Sequence, residues 1–248
     1  MTLVRQATAE LVGTAFLVAA VVGSGIAAQR LSPEDTGLQL LESSIATGAV
    51  LVALILALHP VSASFNPVVT LAERFLGLIT TATAAALVAA QVAGGLVGVV
   101  VANLMFELDA VSVSAHERGG GGQLLGEVVA TIGLVLVVFG TLRSTRPETV
   151  AIAVGGYIAA AYWFTSSTSF ANPAVTVGRM LSDTFAGIAP GSVPGFVAAQ
   201  LLGGILAIAL VRWLHPHSRH PRDHTLDSVA GPHDPAWRAD PRTGRSHD

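Results

Sequence analysis

The 248-residue sequence has no cysteine and no lysine, and charged residues make up only 12% of it. Without cysteine there is neither a disulfide framework nor a thiolate metal site, and no redox signature of the compartment. The basic residues are all arginine, which reads as a compositional bias rather than a functional signal. A formal net charge of −3 gives no ground for a nucleic-acid partner. Also missing are the ten-residue alternations of polar and apolar side chains that mark membrane barrel strands.

What the chain has instead is continuous apolar runs, with hydrophobic residues at 52% and a positive mean hydropathy. Residues 7–29, 76–105 and 193–211 are each long enough, at 1.5 Å per helical residue, to cross a hydrocarbon core of roughly 30 Å. The pattern predicts an all-α membrane protein with spans at about 7–29, 40–59, 80–105, 123–142, 149–165 and 193–214. A cleaved signal peptide is not expected, because the first span carries Glu10 and is longer than an h-region.

Arg5, Arg143, Arg146 and the cluster starting at Arg212 fall on one side of these spans, whereas the loop 107–122 has only Arg118. The positive-inside rule then puts both termini in the cytoplasm, and an even number of spans is consistent with that. Residues 1–214 are expected to form the membrane domain. The segment 215–248, rich in Pro, His, Arg and Asp, is expected to be a disordered cytoplasmic tail. Its six histidines lack the tight spacing of a metal shell, so no metal and no cofactor is expected.

The chain repeats itself, with halves at about 7–105 and 123–214. ELVGTAFLV at 10–18 matches EVVATIGLV at 127–135, SFNPVVT at 64–70 matches SFANPAVT at 169–176, and QVAGG at 91–95 matches QLLGG at 200–204. Three spans per half invert the second half relative to the first.

Asn is a strong helix N-cap and Pro suits the first turn, so Asn66-Pro67 and Asn172-Pro173 each start a helix. About nine residues follow each, 67–75 and 173–181, roughly 14 Å of helix, and charges at Glu73, Arg74, Arg179 and Asp183 stop them there. Such half-helices are tolerated at membrane depth only inside protein or along a polar pathway. Their positive N-terminal dipoles, with amide donors from Asn66 and Asn172, repel cations and guide neutral hydroxylated solutes. Glu10 and Glu127, at equivalent repeat positions, are expected to hold the backbone of the two re-entrant loops, with proton relay as the competing role. Gly94, Gly95, Gly98, Gly203 and Gly204 are expected to permit close helix crossings.

Paired Asn-Pro motifs (Asn66, Pro67, Val68 and Asn172, Pro173, Ala174) within inverted three-span repeats, each led by a Glu-containing motif, resemble the aquaporin, or major intrinsic protein, family over about residues 7–214. The resemblance implies an aquaporin-like bundle of six transmembrane helices plus two half-helices. It implies a homotetramer in the plasma-membrane lipid with one passive pore per subunit, and no catalytic residues. Family spacing puts the selectivity constriction near Ala46 or Thr47, Ala160, Ser169 and Val175. Three positions depart from the usual pattern: Val68 in place of Ala, Ser64 in place of a frequent His, and Val175 in place of the arginine of most relatives. Arg179, four residues on, is expected to anchor the outer end of the half-helix rather than to replace that arginine. The small constriction residues imply a pore wider than a water filter. A bacterial branch associated with arsenic resistance is similar, including the Val and a stretch like GRMLSDTFAGIAP at 178–190, which makes glycerol-like solutes and arsenous acid the expected cargo.

A water or general water/glycerol facilitator is the nearest alternative. An ion-coupled secondary transporter also combines inverted repeats with broken helices, but the spans offer no ionisable cluster for a coupling ion, His59 sitting at a span end before Pro60. An intramembrane enzyme would need a nucleophile with a partner, and the spans supply none.

Overall fold

A computed structural model describes residues 1–142 and 146–214. Arg143 and the segment 215–248, with its expected disorder, lie outside the described residues. Six long helices, α1 (Leu3–Leu31), α2 (Thr36–Leu58), α4 (Thr81–Met105), α5 (Gly120–Thr141), α6 (Pro147–Phe164) and α8 (Val193–Leu214), enclose two short ones, α3 (Pro67–Phe75) and α7 (Pro173–Arg179). Local chemistry sets several of the starts. The Asp35 carboxylate accepts the Leu38 amide at 2.9 Å ahead of α2, the Thr80 hydroxyl accepts the Thr83 amide at 3.1 Å ahead of α4, and Pro147 opens α6.

Five of the helices, all the long ones but α6, are long and apolar enough to cross a membrane. The 18 residues of α6 span about 27 Å, and Pro147, Glu148, the Gly155-Gly156 pair and two tyrosines dilute its apolar character. Polarity is distributed inside out. Glu10, Gln91, Glu127 and Gln200 are wholly buried, whereas Phe16, Leu125, Ile152 and Ile205 face outward.

The pairings obey the repeat: α1 packs on α4 as α5 packs on α8, and α1 meets α2 as α5 meets α6. The α1–α4 crossing is close enough to demand glycine. A Cβ at Gly94 would fall 2.3 Å from the Leu11 carbonyl oxygen, and one at Gly98 would fall 2.3 Å from that of Ala15.

Each half-helix also packs on a long helix of the other repeat, α3 on α8 and α7 on α4. With seven residues, α7 is two shorter than the spacing predicts. The loop 107–119 takes up the carbonyls just past its end: the Ser114 amide donates to Met180 at 2.9 Å and the Ser112 amide to Leu181 at 3.1 Å.

Candidate functional site

The chain enters each half-helix through a left-handed residue, Phe65 at φ 46° and Ala171 at φ 46°, a costly conformation that must be held in place. A buried carboxylate does so in each half. Glu10 accepts the amides of Ser64 at 2.9 Å and Phe65 at 2.7 Å, and Glu127 accepts those of Phe170 and Ala171, both at 2.8 Å. The carboxylates are positioned in turn by Gln91 at 2.7 Å and Gln200 at 2.6 Å. Each glutamine amide also donates to a half-helix threonine, Thr70 or Thr176, at 2.8 Å. Glu10 and Glu127 thus sit on the loop backbones, and among the described residues their hydrogen-bond partners are all donors.

Held this way, the two half-helices meet N-terminus to N-terminus. The Oδ1 of Asn66 caps α3 by accepting the Val68 amide at 2.9 Å, and that of Asn172 caps α7 by accepting the Ala174 amide at 3.0 Å. Each Nδ2 crosses over: Asn66 donates to the Ala171 carbonyl and Asn172 to the Phe65 carbonyl, both at 2.8 Å. An amide NH2 has two N–H bonds, so each asparagine keeps one for a molecule beside it.

Both asparagines line a cavity of about 310 Å³ that runs from Gln6, His59 and Glu73, at the end of the bundle carrying the N-terminus, past Val69, Leu134 and Val154 to Thr47, Ser169 and Val175. A second cavity, of about 520 Å³, opens at the far end among Gln29, Gln39, His116, Arg118 and Asp183. Tyr162 and Arg179 line both cavities and so stand at the neck between them. There the Tyr162 and Thr47 hydroxyls lie 3.1 Å apart. Ser169 Oγ, buried beside them, has no hydrogen-bond partner among the described residues.

Of the constriction positions expected from spacing, Thr47, Ser169 and Val175 line the first cavity and Ala46 and Ala160 do not. Ala160 is exposed on the outer side of α6. That helix turns Val150, Val154, Ile158 and Tyr162, four residues apart, to the cavity, and a residue two positions from Tyr162 points the opposite way. Ala46 is half-buried, one residue out of phase with Thr47 on α2. Val68 and Ala174 are buried beneath the asparagines, with Pro67 and Pro173 at the first helical positions.

Arg179 extends the sequence reading most. Four residues after Val175, it shares that residue's helical face and so reaches the pathway as well as anchoring the chain. Its Nε donates to the Ala186 carbonyl, and its guanidinium carbon lies 3.5 Å from the centroid of the Phe170 ring. The pairing with Phe170, nine residues earlier, is a tertiary contact that the sequence does not mark. In the far-end loop, burial pushes the Arg118 guanidinium down to about 10. Burial, and then the neighbouring Arg118 and Arg179, lowers the His116 pKa against an opposing pull from Asp183.

Two half-helices of inverted repeats, meeting inside a bundle of membrane-length helices and lining a pathway, define a membrane channel. The family profile described as "Major intrinsic protein" matches residues 1–149 and 143–232, and the chain belongs to this family. It is 51% identical over 213 residues to aquaglyceroporin AqpS of Rhizobium meliloti (strain 1021), covering 86% of this chain and 91% of that one. It is 32% identical over 192 residues to aquaporin TIP4-4 of Zea mays, covering 72% and 75% respectively. The fold also matches the X-ray structure of the aquaglyceroporin from Plasmodium falciparum, with a TM-score of 0.67 at 16% identity over 84% of this chain and 95% of that one. The chain is therefore a multi-pass membrane channel rather than an enzyme. Among the described residues no group of three or more His, Cys, Asp or Glu is placed to hold a metal ion.

Proposed function

We propose that this channel passes small uncharged hydroxylated solutes, of glycerol size and including arsenous acid, passively in either direction. The observation that carries the reading is the lining of the neck. Thr47, Tyr162 and the unpartnered Ser169 hydroxyl face the space beside Val175, and each asparagine at the half-helix junction keeps an N–H for a passing oxygen. A neutral polyol or trihydroxide exchanges hydrogen bonds with water for bonds with these groups, whereas an ion would lose its hydration. The name of the AqpS relative supports a glycerol-type cargo. The Val at 175 and the 178–190 stretch support the metalloid.

On this reading Asn66 and Asn172 are the central donors, Thr47, Ser169 and Val175 belong to the selectivity constriction, and Glu10 and Glu127 are structural. Residues 1–214 form the channel domain, as a homotetramer in the plasma membrane. The arginines at the end of the bundle bearing Arg5 and Arg212 orient both termini to the cytoplasm.

The test is stopped-flow light scattering on proteoliposomes presented with water, glycerol or arsenous acid gradients, comparing wild type with Val175→Arg. The variant adds bulk and charge at the neck, so glycerol and arsenous acid entry should fall while water entry persists. Wild-type vesicles that conduct water but neither solute above empty liposomes would reduce the protein to a water channel. Saturable, ion-dependent uptake would instead indicate a coupled transporter.

A further inference from the structure

The far-end cavity brings together two arginines from distant parts of the sequence, Arg118 in the loop 107–119 and Arg179 at the end of α7. Both guanidiniums lie over one ring, with Arg179 at 3.5 Å and Arg118 at 5.1 Å from the Phe170 centroid. Arg179 is only 4% exposed, yet it borders both cavities.

The hydrogen bonds that hold these side chains end on backbone carbonyls: Ala186 for Arg179, and Gly187 at 2.8 Å and Phe185 at 3.1 Å for Arg118. Carbonyls and a ring face orient a guanidinium without cancelling its charge. The nearby carboxylates offset part of that charge, Glu127 lying within electrostatic reach of both arginines. Asp183 is exposed and accepts the Ala115 amide at 2.9 Å, and Glu127 is bound to the Phe170 and Ala171 amides and to Gln200. Two guanidiniums against one buried carboxylate leave net positive charge at the neck, in a buried setting where it acts strongly on an approaching ion.

We propose that Arg179, seconded by Arg118, is the charge-selecting residue of this pathway, refusing cations one helical turn outward from Val175. The idea rests on the channel reading and deepens it. A single arginine at 175 would narrow the neck and charge it at once. Here the two tasks are separated: Val175 sets the width, and Arg179, on the same face about 6 Å further along α7, sets the sign of the barrier. The wider pore thus stays closed to cations.

The experiment uses the full chain in proteoliposomes. It measures glycerol entry by light scattering and, separately, proton influx driven by a potassium diffusion potential with an entrapped pH dye. Arg179→Gln keeps a donor for the Ala186 carbonyl but removes the charge, Arg179→Lys keeps the charge, and Arg179→Gln combined with Val175→Arg moves the charge back one turn. Relative to its own glycerol flux, Arg179→Gln should leak protons about tenfold more than wild type. Arg179→Lys should stay tight, and the double variant should regain tightness. An Arg179→Gln protein that conducts glycerol yet leaks no more than wild type overturns the proposal and leaves Arg179 a tether. Should that variant fail to fold, Arg118→Gln gives the same reading at smaller amplitude, and an unchanged leak there is equally fatal. Failure of the channel reading is distinguishable, because it shows first as absent glycerol flux in wild type.

Discussion

Asn66 Nδ2 donates to the Ala171 carbonyl oxygen at 2.8 Å, so the residue that caps the first half-helix also holds the loop that leads into the second. Asn172 returns the same bond to Phe65. Each asparagine is thus both a helix cap and a cross-brace, and both tasks run through one side chain. Asn66→Ala removes the cap, about 1 kcal/mol, and the brace, about another 1 kcal/mol. Asn66→Asp keeps the cap but turns an oxygen toward the Ala171 carbonyl, so it should melt at or below the Asn66→Ala temperature in detergent. A melting temperature for Asn66→Asp close to wild type would show that the brace contributes nothing.

The two buried glutamates offer an internally controlled comparison. Glu10 accepts four donors, from Ser62, Ser64, Phe65 and Gln91, whereas Glu127 accepts three, from Phe170, Ala171 and Gln200. Substitution by glutamine places an NH2 against donors that need an oxygen, at a cost of about 1–3 kcal/mol per orphaned group. Both Glu10→Gln and Glu127→Gln should therefore lose thermal stability, Glu10→Gln the more. If Glu127→Gln were the more damaging, the hydrogen-bond inventory would not be what sets the cost. If either kept full stability while losing flux, a proton-relay role would have to replace the structural one.

The architecture is legible in the sequence because its markers are local. Apolar runs mark the six spans, three of them long enough on their face to cross a hydrocarbon core, and an Asn-Pro pair ahead of a run too short to cross gives each half-helix. Rotational phase is another matter. The helix α6 is apolar nearly all round, so no polar stripe in its sequence indicates that Tyr162 rather than Ala160 meets the pathway. The one available signal is the row Val150, Val154, Ile158, Tyr162 at a spacing of four, visible only once the facing surface is known. The pairing of Arg118 with Arg179 is hidden for a different reason: it depends on how the loop 107–119 folds over the end of α7, a tertiary contact without a sequence period.

Close packing of α1 on α4 predicts an asymmetry between glycines. At Gly98 a methyl group would meet the Ala15 carbonyl oxygen at 2.3 Å, while at Gly140, on α5, nothing lies within 4 Å. Gly98→Ala must push two spans apart and should lower the yield of folded protein and its melting temperature. Gly140→Ala should be neutral or stabilising by up to about 1 kcal/mol, from helix propensity alone. Equal behaviour of the two in size-exclusion and thermal melts would mean that α1 and α4 do not cross this closely.

Tyr162 should control passage by two separable means. Its ring occupies the neck shared by the two cavities, and its hydroxyl lies 3.1 Å from that of Thr47, which keeps both side chains in place and offers a polar contact to solute oxygens. Tyr162→Phe removes the polar contact at almost constant volume, so glycerol entry should slow by a few-fold, the equivalent of losing one hydrogen bond of about 1 kcal/mol. Tyr162→Ala removes the obstruction as well, so glycerol entry should rise above the Phe variant and solutes too large for wild type should begin to pass. The decisive quantity is the order of glycerol permeability per folded protein in vesicles. An Ala variant no faster than the Phe variant would show that the narrowest point lies elsewhere, with Val175 the next residue to shorten.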